Sequence, residues 1–170
     1  MNFFIELTNR FFELAMGPIN NKEMLWVLIP LLINLFFIEI YSARYKSEKI
    51  GWVGAFGNSI ILLFVAMDLL RHLYNKGDLV ISLQISLIFA LFFIAVLMAI
   101  LDFFHSLPKE LAYVISSEST VHFLAAILIL IIYTNSPIDI YTILSIFILI
   151  LIYYMVITIL NWITPTAKEN

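Results

Sequence analysis

Among the 12 acids and three histidines of this 170-residue chain, five are singled out as a cluster that could carry a proton or ligate a metal: Glu39, Asp102, His105, Glu118 and His122. Asp102 and His105 are three apart, and Glu118 and His122 are four apart. Within a helix each pair would therefore share a face. A carboxylate beside an imidazole suits proton transfer, and the same donors suit zinc, iron or manganese. Asp102, His105, Glu118 and His122 are the candidate ligands of a divalent metal. Neither pair completes a signature such as the two-histidine zinc helix. No catalytic residue is assigned, and no cofactor is expected beyond such a metal.

Two other polar groupings have simpler uses. Asp68, Arg71 and His72 lie within one helical turn and are read as an ion pair at a membrane edge. Ser59, Asp68 and His72 contain the residue types of a nucleophilic triad. About nine residues, roughly 13 Å of helix, separate the serine from the acid, which is too far.

These residues stand in a very apolar chain. It is 63% hydrophobic and 12% charged, with mean hydropathy +1.04. Soluble domains carry about 25% charged residues, so the fold class expected is an all-α integral membrane protein. A net charge of −3 offers no basic field for nucleic acid. The absence of cysteine removes disulfides, thiolate metal sites and cysteine nucleophiles. Met1–Glu6 has no basic segment ahead of an apolar core, so no cleavable leader is expected.

A span needs roughly 20 mostly apolar residues. Five runs satisfy this, at about 24–41, 50–70, 79–101, 111–134 and 138–162. They make one five-span domain over 24–163. Residues 1–16 are expected to form an amphipathic helix in the headgroup region. Phe4, Leu7, Phe11 and Leu14 line its apolar side, and Glu6, Asn9, Arg10 and Glu13 its polar side. Gly17 and Pro18 begin the expected break. Tyr41, Tyr45, Trp52, Tyr74, Tyr133, Tyr141 and Trp162 sit near span ends, as an aromatic belt does.

The connections are short, so the protein works within the bilayer, at its surface or through a partner. Alternating spans put Arg10, Lys22, Arg71 and Lys76 on one side, and Arg44, Lys46, Lys49, Lys109 and Lys168 on the other. The dense group Arg44, Lys46 and Lys49 favours an outside N-terminus and a cytoplasmic C-terminus. The same alternation gathers Glu39, Asp102, His105, Glu118 and His122 at one face of the membrane.

Packing signals lie in the second span. Gly51, Ala55 and Ser59 repeat every four residues, with Gly54 and Asn58 beside them. Small residues at that spacing let helix backbones approach closely in lipid, and an asparagine can hydrogen-bond across the contact. The seam serves either self-association or packing within the chain. Asn34 and Gln84 are single polar residues of the same interhelical kind.

The fourth span is abnormal. Its uninterrupted apolar part, about 121–133, is roughly 20 Å long, too short to cross alone. Extending it back to Leu111 takes in Ser116, Ser117, Glu118, Ser119 and Thr120. Either one helix carries a polar face, or it breaks and a serine caps a half-helix, or an ordinary helix sits deep at one end with Leu111–Val114 along the interface after Pro108.

The leading functional expectation is a small, non-catalytic membrane subunit that self-associates or joins other membrane subunits. The first alternative is an ion, proton or metal channel or transporter with a polar path at the fourth span. The second is a metal-dependent intramembrane enzyme.

Overall fold

The computed structural model describes residues 2–45 and 51–165. Lys46, Lys49 and Lys168, which entered the charge comparison, lie outside the described residues, as does Ile50 at the expected start of the second span. The described chain is all-helical: α1 Phe3–Asn20, α2 Lys22–Arg44, α3 Trp52–Lys76, α4 Leu83–Phe103, α5 Lys109–Ile115, α6 Glu118–Thr134 and α7 Ile140–Ile163. Five segments are long and apolar enough to cross a membrane: α2, α3, α4, α5 with α6 taken together, and α7.

Helix ends follow local chemistry more closely than hydropathy. α3 continues past Leu70 through Arg71 and His72, and stops where Gly77 takes a left-handed conformation (φ 74°). The Asp78 N–H then bonds the Leu73 carbonyl, and the Gly77 N–H that of Tyr74, closing a Schellman cap. α4 begins at Leu83, because the Ser82 hydroxyl accepts from the Ile85 N–H and caps it there. Leu79, Val80 and Ile81, expected inside the third span, are exposed residues of the connection.

The chain divides into two compact units. One contains α1, α2, α7 and the end of α6 from Tyr133. In it α1 runs on through Gly17 and Pro18 to Asn20, four residues past the expected end of the helix. Asn21 makes the break: it leaves the helical conformation, and its side chain accepts from the N–H groups of Glu23 and Met24 to cap α2. Gly17 permits a close contact, since a Cβ there would lie 2.6 Å from Cγ2 of Thr134.

The residues of the two expected faces of α1 have mixed surroundings. Leu14 is fully buried, but Phe4 is 73% exposed. Arg10 and Glu13, from the expected polar side, bond the α6–α7 connection. Arg10 reaches Glu13 at 2.9 Å and Asp139 at 3.4 Å, with 14% of its side chain exposed. Ser136 donates to Glu13 (3.0 Å), so in its 2.7 Å contact with Thr134 the threonine hydroxyl is the donor. Asp139 also caps α7 by accepting from the Thr142 N–H at 2.8 Å. Burial pushes the Asp139 carboxyl up, but the Thr142 hydrogen bonds and the Arg10 charge outweigh it and hold it below its ordinary value. From Phe3 against Tyr141, through Arg10 and Glu13, to Gly17 against Thr134, α1 tracks the beginning of α7, the connection and the end of α6.

The other unit contains α3, α4, α5 and α6 up to Ile132. Its centre is the α3–α4 pair. Ala55, Ser59, Leu62, Ala66, Leu69 and Leu73 form the buried stripe of α3, and Ile88, Leu91, Ala95, Ala99 and Asp102 that of α4. The alanines and the serine keep these stripes low enough for close packing.

Candidate functional site

The polar centre of the second unit forms where the fourth span breaks. Helix α5 ends at Ile115, and Ser116 and Ser117 separate it from α6. Two adjacent serines compete well with helical bonding, because their hydroxyls can bond nearby backbone groups. Ser117 caps α6: its hydroxyl accepts from the Thr120 N–H at 3.3 Å and contacts the Thr120 hydroxyl at 2.8 Å. The Thr120 hydroxyl in turn donates to the Val114 carbonyl, 3.2 Å away, and so satisfies an acceptor at the end of α5. The segment 109–134 is also the most buried of the five spans, with 44% of its most apolar stretch covered. Irregular backbone at membrane depth persists where protein encloses it.

Ser116 turns inward and links three elements. Its hydroxyl donates to Oδ2 of Asp102 on α4 at 2.8 Å. Ser59 of α3 donates to the same oxygen at 2.9 Å. Asn58, also on α3, donates its side-chain amide to the Ser116 carbonyl at 2.8 Å. Asp102 is 2% exposed, and Asn58, Ser59 and Ser116 are buried with it. A buried carboxylate needs such donors, and among the described residues they are all neutral.

The structure thus divides the residues singled out by spacing. Asp102 joins Ser59 and Asn58, two residues of the small-residue seam, whose side chains bond α4 and the α5–α6 break. Ala55 of that seam is buried, Gly54 half-buried and Gly51 exposed. His105 leaves Asp102 despite the three-residue spacing, because α4 ends between them. Its left-handed conformation (φ 51°) makes it the turn residue of a second Schellman cap, with the Ser106 N–H on the Leu101 carbonyl. The exposed imidazole stacks on Trp52 at 4.2 Å, and Tyr113 meets the same indole edge-on at 5.4 Å.

His122 is buried in α6, and its Nδ1 lies 2.7 Å from the carbonyl of Glu118. A carbonyl can only accept, so Nδ1 carries a proton in this bond. The expected Glu118–His122 pair is therefore joined through the Glu118 backbone. Glu39 belongs to the first unit, where Tyr153 of α7 donates to it at 2.9 Å. Asp68 and Arg71 form their ion pair at the end of α3, while His72 is buried. Among the described residues, no group of three or more His, Asp and Glu side chains is gathered to hold a metal ion.

Ser116 is the site residue that spacing alone did not single out. The signal lay in three facts that needed the fold to connect them: a serine pair interrupting a span, an acid at the end of α4, and Asn58-Ser59 on a small-residue face. Comparison with family models, curated proteins and solved structures finds no match to this chain.

Proposed function

We propose that this chain is a small polytopic membrane subunit without catalytic activity, assembling through transmembrane helix contacts with copies of itself or with other membrane subunits. Helix α7 carries this reading. It is the most apolar span, with mean hydropathy 2.9, yet only 6% of that stretch is buried. Its buried residues, Thr142 and Ser145, lie in its first two turns. Farther along, Tyr153 bonds Glu39 of α2, while Leu151, Met155, Ile159 and Trp162 are exposed.

Lipid covers such a surface as readily as a partner helix does, and cysteine chemistry separates the two. The chain has no cysteine of its own. Single cysteines at Leu151, Met155 and Ile159, on one exposed stripe, should cross-link in native membranes, and cysteines at the buried Thr142 and Ser145 much less. Equal and negligible adducts at all five positions would overturn the reading.

The contacts of α1 with the ends of α6 and α7 support its place in the headgroup layer. There Ile5, Phe12, Met16 and Ile19, all exposed, would face the acyl boundary. The basic cluster at Arg44 supports an outside N-terminus and a cytoplasmic C-terminus.

A second reading, an ion or proton channel or transporter, draws on the broken, largely buried fourth span. Loss of liposome proton or sodium flux in Asp102→Asn would support it, and absence of flux in the wild type would remove it. The metal-dependent enzyme gains no support from the separation of His105 from Asp102.

A further inference from the structure

We propose that Asp102, with Ser59 and Ser116, forms a binding site for one hard monovalent cation, a proton or a sodium ion, where the fourth span breaks. The site is built from three elements, and each of the three residues is more than nine-tenths buried. Both hydroxyls donate to Oδ2. Among the described residues no group donates to Oδ1, and no lysine, arginine or histidine pairs with this carboxylate. Both described donors thus share one oxygen of this buried acid, and the other meets no donor among the described residues.

The chemistry of the surroundings selects the ligand class. A carboxylate removed from water needs its charge balanced, and neutral hydroxyls supply dipoles without balancing it. One positive charge balances it, whereas a divalent ion would leave a net charge in a low-dielectric interior. The donor set is all oxygen, which suits hard cations. Neither His105 nor His122 forms a described hydrogen bond or ion pair with Asp102: His105 is stacked on Trp52, and Nδ1 of His122 is bonded to the Glu118 carbonyl.

The groups that hold the site are themselves uncharged. From α3 they are Asn58 and Ser59, and from the break Ser116. The next titratable group along the chain is His105, beyond the end of α4, exposed and in a left-handed conformation. Asn58 fixes the Ser116 carbonyl, and with it the distance from Ser116 to Asp102. The site does not depend on the assembly reading. It supplies a ligand to the second reading, and binding is tested separately from flux.

The test is infrared difference spectroscopy of the purified full chain in nanodiscs, read in the carboxyl stretching region. One arm steps pH in choline chloride, and the other adds sodium chloride at fixed pH and constant ionic strength. A carboxyl band that responds to pH alone identifies a proton site, and one that responds to sodium identifies a sodium site. Asp102→Asn should abolish the band. Ser59→Ala, which keeps the carboxylate but removes one hydroxyl, should move its midpoint by about tenfold in ligand concentration, the effect of one hydrogen bond to a charged group. Difference spectra identical in wild type and Asp102→Asn in both arms would overturn the proposal. Should Asp102→Asn fail to fold, unchanged midpoints in both Ser59→Ala and Ser116→Ala would do the same.

Discussion

Asn58 donates its side-chain amide to the main-chain carbonyl of Ser116, 2.8 Å away, at the residue where the fourth span stops being one helix. The break is therefore held by α3 as well as by its own serines. A carbonyl released from helical bonding inside a membrane protein must find another donor, and Asn58 is that donor.

Asn58→Ala should destabilise the fold by about 1–3 kcal/mol, the cost of a buried acceptor left unpaired. Hydrogen exchange should rise around Ser116–Thr120 before it rises in α7. Unchanged exchange at the break, with unchanged unfolding in denaturing detergent, would show that the bond contributes little.

The two kinds of glycine environment should respond oppositely. Gly17→Ala puts a methyl 2.6 Å from Cγ2 of Thr134, and overpacking of this kind costs about 1–3 kcal/mol. Thr134→Ser removes that methyl, keeps the hydroxyl for Ser136, and should rescue the variant. A Cβ on Gly57 meets nothing within 4 Å. Gly57→Ala should stabilise α3 in monodisperse detergent by up to about 1 kcal/mol through helix propensity. Thermal unfolding of the four proteins tests the set.

At His105, backbone conformation and ring stacking oppose each other. A side chain at φ 51° costs about 1–2 kcal/mol that glycine avoids, while an aromatic stack contributes about 0.5–1.5 kcal/mol. His105→Gly should therefore stay within about 1 kcal/mol of wild type. His105→Val, β-branched and without the stack, should lose clearly more than that. Equal losses in both variants would mean that the imidazole itself is required.

Asp139 sets an acid-sensitive step. Its carboxyl titrates below its ordinary value in the folded protein. Its stabilising contribution is present above the unfolded-state value near 3.8 and is lost as pH falls through the lowered folded value. Asp139→Asn can still accept from the Thr142 N–H but loses the charge that Arg10 meets. It should flatten the acid limb of stability below about pH 4. A limb as steep as that of the wild type would assign the sensitivity to other carboxylates.

The span order was legible because lipid imposes length and apolarity on every crossing segment. The ends were less so. Arg71 and His72 do not stop α3, since a helix can carry polar residues outward until a left-handed residue such as Gly77 closes it. Pro18 does not stop α1; Asn21 does, by turning its side chain onto the next helix. The break in the fourth span was one of three options in its serines, and the bonds of Ser116 to Asp102 and Asn58 come from tertiary contact. His105 shows the limit of spacing arguments: three residues from Asp102 meant a shared face only while the helix lasted, and α4 ends in between. Arg10 likewise sits on a polar side by periodicity, yet its partner is Asp139, far along the chain.

Assembly is most directly tested by the mass of the particle released from native membranes into nanodiscs without cross-linker, measured by native mass spectrometry. The expected particle is either a multiple of 19.6 kDa or one copy bound to another membrane chain, weakened by polar substitution on the Leu151–Met155–Ile159 stripe. A single 19.6 kDa chain as the sole species, at expression near its natural level, would contradict it.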